Sequence, residues 1–399
     1  MPRSRTVLSR RALLGAGSLA AAAALLPRRT FGASKAKIRV GLLLPYSGTY
    51  AALGTNITDA MKLAAREHGD KLGGREIEWV AVDDESDPAK APANTNKLIV
   101  GEKVDVLTGP VHSGMAMAMM QIVRQEKTLT LVTNAGAQAV TGKLCAPHVF
   151  RTSFSNWQTS YPCAEVMLKA GHKKAVLLFW NYSFGQESMA AFKEGYAKGG
   201  GTIVKEIAVP FPNTEFQAHL SEIASLKPDA VFVFFAGAGA AKLVKDYADA
   251  GLSNKIPLYG SGFLTEGVLA AQGAAAEGIK TTLHYAESLD TPANKRFRAA
   301  FKKATSREAD VYAVAGYDTV NLLAHALDKV KGDTSAQKEL IAALESARIE
   351  SPRGPFRFSR AHNPIQDIYL REVRGGQQKV LGVALKDAED PAEGCALGK

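Results

Sequence analysis

The fold is decided by the stretch IRVGLLLPYSGTYAALGTNITDAMKLAAREH, residues 38–68. It opens with an apolar run, Ile38–Leu44, which predicts a strand buried on both faces of a sheet. A loop rich in Ser, Gly and Tyr follows, and a helical pattern then runs from Ala51 to His68. The same strand-loop-helix order recurs along the chain, which is typical of parallel sheets covered by helices on both faces.

The pattern predicts further doubly buried strands at Ile77–Val82, Val104–Thr108, Leu129–Val132, Ala175–Trp180, Ile203–Val209, Ala230–Phe235 and Ile256–Tyr259. Helices are predicted at Pro88–Gly101, Met115–Glu126, Gln158–Ala170, Phe184–Lys198, Phe216–Ser225, Ala238–Ala250, Pro292–Ala304, Val311–Lys329 and Thr334–Ser346. Two late strands are predicted at Phe356–Phe358 and Ile368–Val373. Eight or more strands exceed one comfortable open sheet, so we expect an α/β fold of two doubly wound parallel-sheet lobes. No Pro-, Ser- or Gly-rich linker separates them, so the chain should cross between the lobes several times through short segments.

The composition is that of a globular protein, because 46% of the 399 residues are hydrophobic and 22% are charged. It excludes low-complexity disorder, collagen and a small disulfide scaffold. The formal net charge of +10 would suit a nucleic-acid partner, but residues 1–33 hold six arginines and no acid. The rest of the chain carries a net charge of only +4. We therefore expect no nucleic-acid partner.

Residues 1–33 have the layout of an export signal. A basic stretch precedes the apolar run Ala12–Leu26, and the small residues Gly32 and Ala33 suit a cleavage site. The pair Arg10–Arg11 resembles the twin-arginine type of signal, with an ordinary secretory signal as the alternative. The run of 15 residues is shorter than the about 20 that span a bilayer. We expect a periplasmic protein from which the signal has been removed.

The chain has three cysteines, at positions 145, 163 and 395. An oxidising compartment permits one disulfide and leaves one thiol. Cys163 lies in an apolar helical run and suits a buried thiol, so the pairing we predict is Cys145 with Cys395. Other pairings remain open.

Loops rich in Gly, Ser and Asn follow the predicted strands. They lie at 45–50, 109–114, 133–136, 181–185, 236–237 and 260–263. In open parallel sheets, ligands bind beyond the carboxyl ends of the strands, where the backbone N–H groups of helix N-termini suit anions. Two such lobes facing each other would form a cleft for a small acid.

At these loops the chain resembles the type I periplasmic solute-binding proteins of ABC importers, in the group that binds branched-chain amino acids and amides. The resemblance covers nearly all of residues 35–375. It is carried by Ile38–Gly41, Pro45–Gly48, Asp83-Asp84, Gly109-Pro110 with Ser113, Phe150–Thr152, Tyr182 with Phe184-Gly185, Thr214–Phe216, Pro228–Val231 and Gly316–Asp318. No single motif is specific, but the order and spacing of the motifs together are.

The resemblance implies two lobes joined by a three-crossing hinge that bends to close over a ligand. The expected crossings lie near Phe150–Ser155, His284–Ser288 and Ser351–Phe356. Lobe 1 would comprise residues 34–151 and 286–350, lobe 2 residues 152–285 and 351–390, and the tail residues 391–399. The partner implied is an ABC permease of the inner membrane, and we expect a monomer.

The resemblance also implies a ligand site. The loop with Ser113 and the segment Asn134-Ala135-Gly136 would hold the ligand carboxylate, and Tyr182 of lobe 2 would close on the ligand. The candidate ligand-binding residues are Tyr50, His112, Ser113, Asn134, Ala135, Gly136, Asn181, Tyr182, Ala236, Gly237, Gly262 and Phe263.

Two departures from the amino-acid binders concern the ligand. Their loop corresponding to Gly260–Phe263 carries an acid for the ligand ammonium, whereas here the nearest acid is Glu266. The large aromatic residue near the position of Leu53 is also missing. An α-ammonium buried without a partner would be costly. The stretches at 111–117, 134–137 and 154–157 resemble instead the subgroup that takes benzoates and hydroxycinnamates.

His112 could donate to the carboxylate or a ring hydroxyl, although a structural hydrogen bond is an equal reading. Phe235 could line the site, but the apolar run around it favours the core. A branched-chain amino acid or amide ligand, a periplasmic hydrolase and a sensor subunit remain alternatives. The motif Gly-x-Ser-x-Gly is absent, and His and Cys lack zinc spacing. We therefore predict no catalytic residue, no metal and no cofactor.

Overall fold

The computed structural model describes residues 37–397, so the predicted export signal lies outside the described residues. Two sheets organise this part of the chain. The first has six strands in the order β2-β3-β1-β4-β5-β6, all parallel except the β2–β3 pair. Its strands are β1 (Ile38–Leu44), β2 (Lys71–Leu72), β3 (Arg75–Asp83), β4 (Val106–Thr108), β5 (Leu129–Val132) and β6 (Val149–Arg151).

The second sheet has eight strands, with a parallel core and an antiparallel end. Its order is β12-β13-β11-β10-β9-β7-β8, and β14 pairs with β13. The strands are β7 (Lys174–Trp180), β8 (Thr202–Val209), β9 (Ala230–Phe234), β10 (Leu258–Ser261), β11 (Lys280–Leu283), β12 (Arg357–Phe358), β13 (Pro364–Arg374) and β14 (Gln377–Ala388). The sheets thus confirm the two-lobed α/β class predicted from strand-helix alternation.

Helices connect the strands. They are α1 (Ala51–Glu67), α2 (Ala91–Asn96), α3 (Ser113–Glu126), α4 (Gln138–Thr141), α5 (Asn156–Lys169), α6 (Ser183–Lys198), α7 (Gln217–Leu226), α8 (Gly237–Asp249), α9 (Leu269–Gln272), α10 (Pro292–Thr305), α11 (Val311–Lys329) and α12 (Gln337–Glu345). Short 3-10 turns occupy Pro88–Lys90, Gly262–Leu264 and Gly273–Ala276, and a π turn occupies Lys97–Gly101. None of the helices within residues 37–397 is both long and apolar enough to span a membrane.

The chain passes between the sheets three times. It leaves the first sheet after β6 and enters the second at β7, and it returns after β11 because α10 and α11 pack against α1. It enters the second sheet again at β12. We call the first sheet with its helices lobe 1 and the second lobe 2. The residues predicted to divide the lobes, 151, 285 and 350, stay predictions.

A buried arginine ties two of these passages together. Arg353 donates to the carbonyl oxygens of Thr152 and Ser153, at 2.7 and 2.8 Å. Its Nε lies 3.1 Å from a carboxylate oxygen of Asp318 on α11, and both side chains are almost fully buried. The arginine therefore joins the segment after β6, the segment before β12 and a helix of lobe 1.

Two of the predicted strands are not buried on both faces, so the sequence interpretation was wrong there. Only Val82 of β3, and only Ile207 and Val209 of β8, are buried. β8 is the edge of its sheet, and β3 is followed outward only by the two-residue β2. A strand at or near an edge has little or no neighbour on its outer side, so its side chains are covered less than those of a central strand.

The cysteines pair as predicted. Cys145 and Cys395 form a disulfide with their Cα atoms 5.6 Å apart, and Cys163 is a buried free thiol. Burial raises the pKa of the Cys163 thiol to about 12, so it is not ionised at neutral pH. The bond links the tail after β14 of lobe 2 to the segment between α4 and β6 of lobe 1.

Candidate functional site

Four of the predicted residues stand at the same kind of place, the residue before a helix that follows a parallel strand. Tyr50, His112, Tyr182 and Ala236 are the N-caps of α1, α3, α6 and α8. The strands β1 and β4 bring the first two to lobe 1, and β7 and β9 bring the others to lobe 2. The carboxyl ends of parallel strands thus gather these residues where the lobes face each other.

Aromatic rings from both lobes meet at this junction. The hydroxyl groups of Tyr50 and Tyr182 are hydrogen-bonded at 2.9 Å, and the His112 ring stacks on Tyr182 with centroids 4.1 Å apart. Phe211, which follows β8, lies 5.1 to 5.6 Å from all three rings. Sequence reasoning missed Phe211, because it stands in a loop between Pro210 and Pro212 and follows no helical pattern.

The hydrogen bonds of His112 settle which ring nitrogen carries its proton. The Gly114 N–H donates to His112 Nδ1 at 3.0 Å, so Nδ1 is the acceptor and Nε2 bears the hydrogen. Burial lowers the pKa of His112 to about 4, which keeps the ring neutral at physiological pH. Nε2 is buried without a hydrogen-bond partner among the described residues. The site therefore presents an unsatisfied neutral donor that suits an acceptor on a ligand.

A second group of rings continues this cluster toward the hinge. The ring centroid of Phe263 lies 4.7 Å from that of Phe154, 5.4 Å from that of Phe184 and 6.0 Å from that of Tyr312 of lobe 1. The Tyr312 hydroxyl is buried and has no partner among residues 37–397. His284, beside Phe154 at 5.5 Å, is also buried with neither ring nitrogen hydrogen-bonded in the described part of the chain. These residues, except Phe263, were not among the predicted site residues.

The two loops predicted to hold a carboxylate come together around Asn156. Its Nδ2 lies 3.4 Å from the Ser113 hydroxyl, and a Cβ added at Gly136 would stand 2.1 Å from its Oδ1. A side chain at position 136 would therefore require Asn156 and Phe154 to shift. Asn156 Nδ2 also donates to the Glu187 carboxylate at 2.7 Å, and the same carboxylate accepts from the Gln138 N–H at 2.9 Å.

Glu187 places a buried carboxylate on this side of the junction. Its carboxylate comes from α6 of lobe 2 and meets an amide at the start of α4 of lobe 1. Burial raises its pKa, while the two donors and the nearby Arg151 oppose the rise. A carboxylate is thus already held here by a backbone N–H and a side-chain amide.

The main chain of the 134–137 loop is held by Arg151. This buried guanidinium donates to the carbonyl oxygens of Ala135 and Ala137. The Ala135 N–H donates to Pro110 O at 3.0 Å, so both main-chain groups of Ala135 already have partners. Asn134 keeps a buried Oδ1 without a partner among the described residues.

Asn181 and Gly262 lie apart from the aromatic cluster, whereas Gly237 lies beside it, because a Cβ added there would stand 3.4 Å from Cδ1 of Tyr50. Asn181 is exposed, and its Oδ1 accepts from Gln186 at 3.0 Å. The carbonyl of Gly262 accepts from Arg371 at 2.9 Å inside lobe 2. Gly237 has φ +55°, and an added Cβ would stand 3.1 Å from Thr49 O of lobe 1, so the start of α8 faces the other lobe closely.

Acidic residues together with Arg298 and Arg307 line a separate cavity between the lobes. It has a volume of about 590 Å³, and its lining includes Glu266 and Glu287. Glu266 is buried and paired with Arg371 at 2.7 Å. Glu287 accepts from the Gln378 N–H at 2.8 Å, and burial raises its pKa. The charge of Glu266 is thus already neutralised by Arg371. The Glu287 carboxylate, by contrast, has no cationic partner within 4 Å in the described residues.

Comparison with known proteins assigns this geometry to a family. The model of a family described as periplasmic binding protein matches residues 37–378. A solute-binding protein of an ABC transporter from R. palustris, solved in complex with benzoate, is 52% identical and has a TM-score of 0.89. The match covers 91% of this chain and 100% of that one.

The names of two other relatives record different kinds of ligand. A solute-binding protein from Rhodopseudomonas palustris BisB5, solved with 3,4-dihydroxybenzoic acid, is 33% identical over 89% of this chain and 99% of that one, with a TM-score of 0.85. The Leu/Ile/Val-binding protein homolog 6 of Brucella melitensis is 34% identical over 84% of this chain and 87% of that protein.

The fold and the junction of its lobes therefore define a two-lobed solute-binding protein of type I. The chain belongs to the periplasmic binding protein family, and it is a solute-binding receptor of the ABC transporter class. This is a family of transport proteins, not of enzymes.

Proposed function

We propose that this receptor binds an aromatic carboxylate of the benzoate or hydroxycinnamate type. The observation that carries the proposal is the lobe junction, where the unpaired Nε2–H of His112 lies among the rings of Tyr50, Tyr182 and Phe211. Flat rings favour a flat apolar ligand, and a buried neutral donor favours an oxygen acceptor. The Tyr312 hydroxyl offers a further unpaired group for a ring substituent or the carboxylate.

The charges at the junction support an anion over a zwitterion. An α-amino acid brings an ammonium group that requires an acid or several acceptors. Glu266 is already paired with Arg371 and hydrogen-bonded to the Val311 N–H at 2.7 Å. Using it for a ligand would break a buried ion pair, which is strongly unfavourable. The R. palustris relative solved with benzoate is in accord with this choice.

A branched-chain amino acid or amide is the second candidate, and one observation favours it. Glu287 lines the cavity between the lobes without a cationic partner within 4 Å among residues 37–397. An ammonium group there would also relieve the burial that raises its pKa. The Brucella relative named for Leu/Ile/Val is in accord with this reading.

The proposal also names the cellular compartment of the protein and its partner in transport. An export signal would deliver the protein to the periplasm as a monomer, and an ABC permease of the inner membrane would take the ligand from the closed lobes. A ligand that contacts both lobes favours the closed population in proportion to its preference for it. No covalent step is required.

Thermal unfolding with a ligand panel tests the proposal. Benzoate, 4-hydroxycinnamate, leucine and a short amide are added to the mature protein, and calorimetry measures Kd for those that stabilise it. A ligand at 100 times its Kd adds about 2.7 kcal/mol of stability. We expect stabilisation by an aromatic acid and loss of that binding in His112→Ala. The matched control His68→Ala alters the exposed histidine that follows α1 and should bind normally. Stabilisation by leucine and by no aromatic acid would overturn the proposal in favour of the second candidate.

A further inference from the structure

A carboxylate of lobe 2 contacts the start of a lobe 1 helix at a place separate from the aromatic cluster. Glu266 follows β10, and its Oε1 accepts from the backbone N–H of Val311 at 2.7 Å. Val311 is the first residue of α11, a helix of 19 residues that packs against α1. Both residues are almost fully buried, and this hydrogen bond spans the junction of the lobes beside the cavity that Glu266 lines.

The carboxylate is held rigidly on its own lobe. Arg371 of β13 donates to Glu266 Oε2 at 2.7 Å, and Gln378 Nε2 donates to the same oxygen at 3.0 Å. Arg371 also donates to Tyr285 O at 2.8 Å, in the segment that leads from β11 back to lobe 1. These contacts lie within lobe 2 or at its hinge, so they persist when the lobes move apart. Oε1 is left as the atom directed at the other lobe.

The lobe 1 side of the contact offers a helix N-terminus to the carboxylate, next to the Asp310 carboxyl group, whose pKa is raised to about 7 by burial and by the nearby Glu266. The first N–H groups of a helix have no partner within the helix and carry the positive end of its dipole. Asp310, the N-cap, accepts from the Ala313 N–H at 2.8 Å and leaves the Val311 N–H to Glu266. Opening the lobes would exchange a charge-assisted hydrogen bond for contacts with water. The bond therefore stabilises the closed arrangement selectively.

We propose that Glu266 is the closing latch of this receptor, a positioning residue that sets the population of the closed state without touching the ligand. The measurement of benzoate affinity rests on the proposed function, whereas the measurement of the radius of gyration without ligand does not. Apparent affinity falls by the factor by which the competent state is depleted. A charge-assisted hydrogen bond of the usual strength corresponds to roughly a ten- to hundredfold change.

Val311→Pro removes the N–H donor of this bond and replaces the buried valine side chain by the proline ring. Proline is tolerated at the first helical position, where it lacks the N–H and has a suitable φ. Asp310 has φ −122° and ψ −178°, an extended conformation that a following proline favours. The Glu266–Arg371 pair is left intact. Val311→Ala is the matched control, because it shortens the side chain and keeps the N–H.

The measurements are benzoate affinity by calorimetry, melting temperature, and the radius of gyration of the unliganded protein by small-angle X-ray scattering. We expect Val311→Pro to bind benzoate roughly ten- to hundredfold more weakly than Val311→Ala, to melt at a similar temperature and to be more expanded without ligand. Equal radii of gyration and affinities within about twofold of each other would overturn the latch.

The two proposals fail in different ways. If the wild-type protein binds no aromatic acid, the proposed ligand is wrong, and the scattering comparison alone decides the latch. If Val311→Pro does not fold, Glu266→Leu with Arg371→Met takes its place, because removing both members of a buried ion pair avoids an unpaired charge. That double variant is expected to be expanded in the same way, and a radius equal to that of the wild type would refute the latch.

Discussion

Acidification should destabilise this protein partly through His112, and His112→Asn isolates the effect. The imidazole is 2% exposed, and burial lowers its pKa from 6.5 to about 4. Asparagine keeps an oxygen that can accept from the Gly114 N–H and is a favoured N-cap for α3. The variant therefore preserves the local hydrogen bond while removing the titrating group.

The sign follows from which state binds the proton. The unfolded chain takes up a proton near its ordinary pKa, whereas the folded ring stays neutral until about pH 4. The folded state is thus fully favoured above pH 6.5 and loses stability as the pH falls through that window. At about 1.4 kcal/mol per pKa unit, acidification from about pH 7.5 to about pH 4.5 should cost the wild type about 2 to 3 kcal/mol more than the variant.

Urea unfolding at the two pH values measures this difference, because the other buried histidines contribute equally to both proteins. The free energy of unfolding of the wild type should fall more steeply than that of His112→Asn. Parallel pH dependence in the two proteins would refute the reasoning, since it would mean that His112 is protonated as readily in the folded state as in the unfolded chain. Benzoate binding by the variant then reports separately on the ligand contact.

Two further perturbations follow from buried groups. Arg353→Met should destabilise the protein by about 3 to 5 kcal/mol, because Asp318 is left buried without its cation. Burial already raises the pKa of Asp318 to about 6, so the deficit relative to Arg353→Met with Asp318→Asn should shrink on mild acidification; a pH-independent deficit would contradict this account. Cys395→Ser should lower the free energy of unfolding by about 2 to 4 kcal/mol through loss of the disulfide to Cys145. Equal urea midpoints for Cys395→Ser and the wild type under oxidising conditions would argue against it.

Much of the fold could be predicted from local pattern. The runs at Ile38–Leu44 and Leu129–Val132 match their strands residue for residue, and Val311–Lys329 matches its helix. These segments are strongly apolar or strongly periodic, so their neighbours in the fold hardly alter them. The strand β14 was missed although it holds the apolar stretch Val380–Leu385, which does not alternate with polar residues and lies largely exposed at the edge of the sheet.

The candidate site was predictable only where it obeys a local rule. Tyr50, His112 and Tyr182 could be named because each ends a loop between a strand and a helix. Phe211 reaches the junction from a loop of lobe 2, and Tyr312 reaches it from α11 of lobe 1. No local sequence signal distinguishes either residue from an aromatic residue of the core. Their ring contacts depend on how the lobes face each other.

By itself, the order of apolar runs, loops and helical patterns determined that this chain forms two α/β lobes with helix N-termini at the mouths of their sheets. Which charged side chains pair with each other was decided only by the tertiary structure. Glu266 and Arg371 are 105 residues apart, yet they form a buried pair whose free oxygen meets a helix of the other lobe. Local periodicity reports how a segment folds against its own sheet, whereas pairing across such distances depends on the packing of all the segments between.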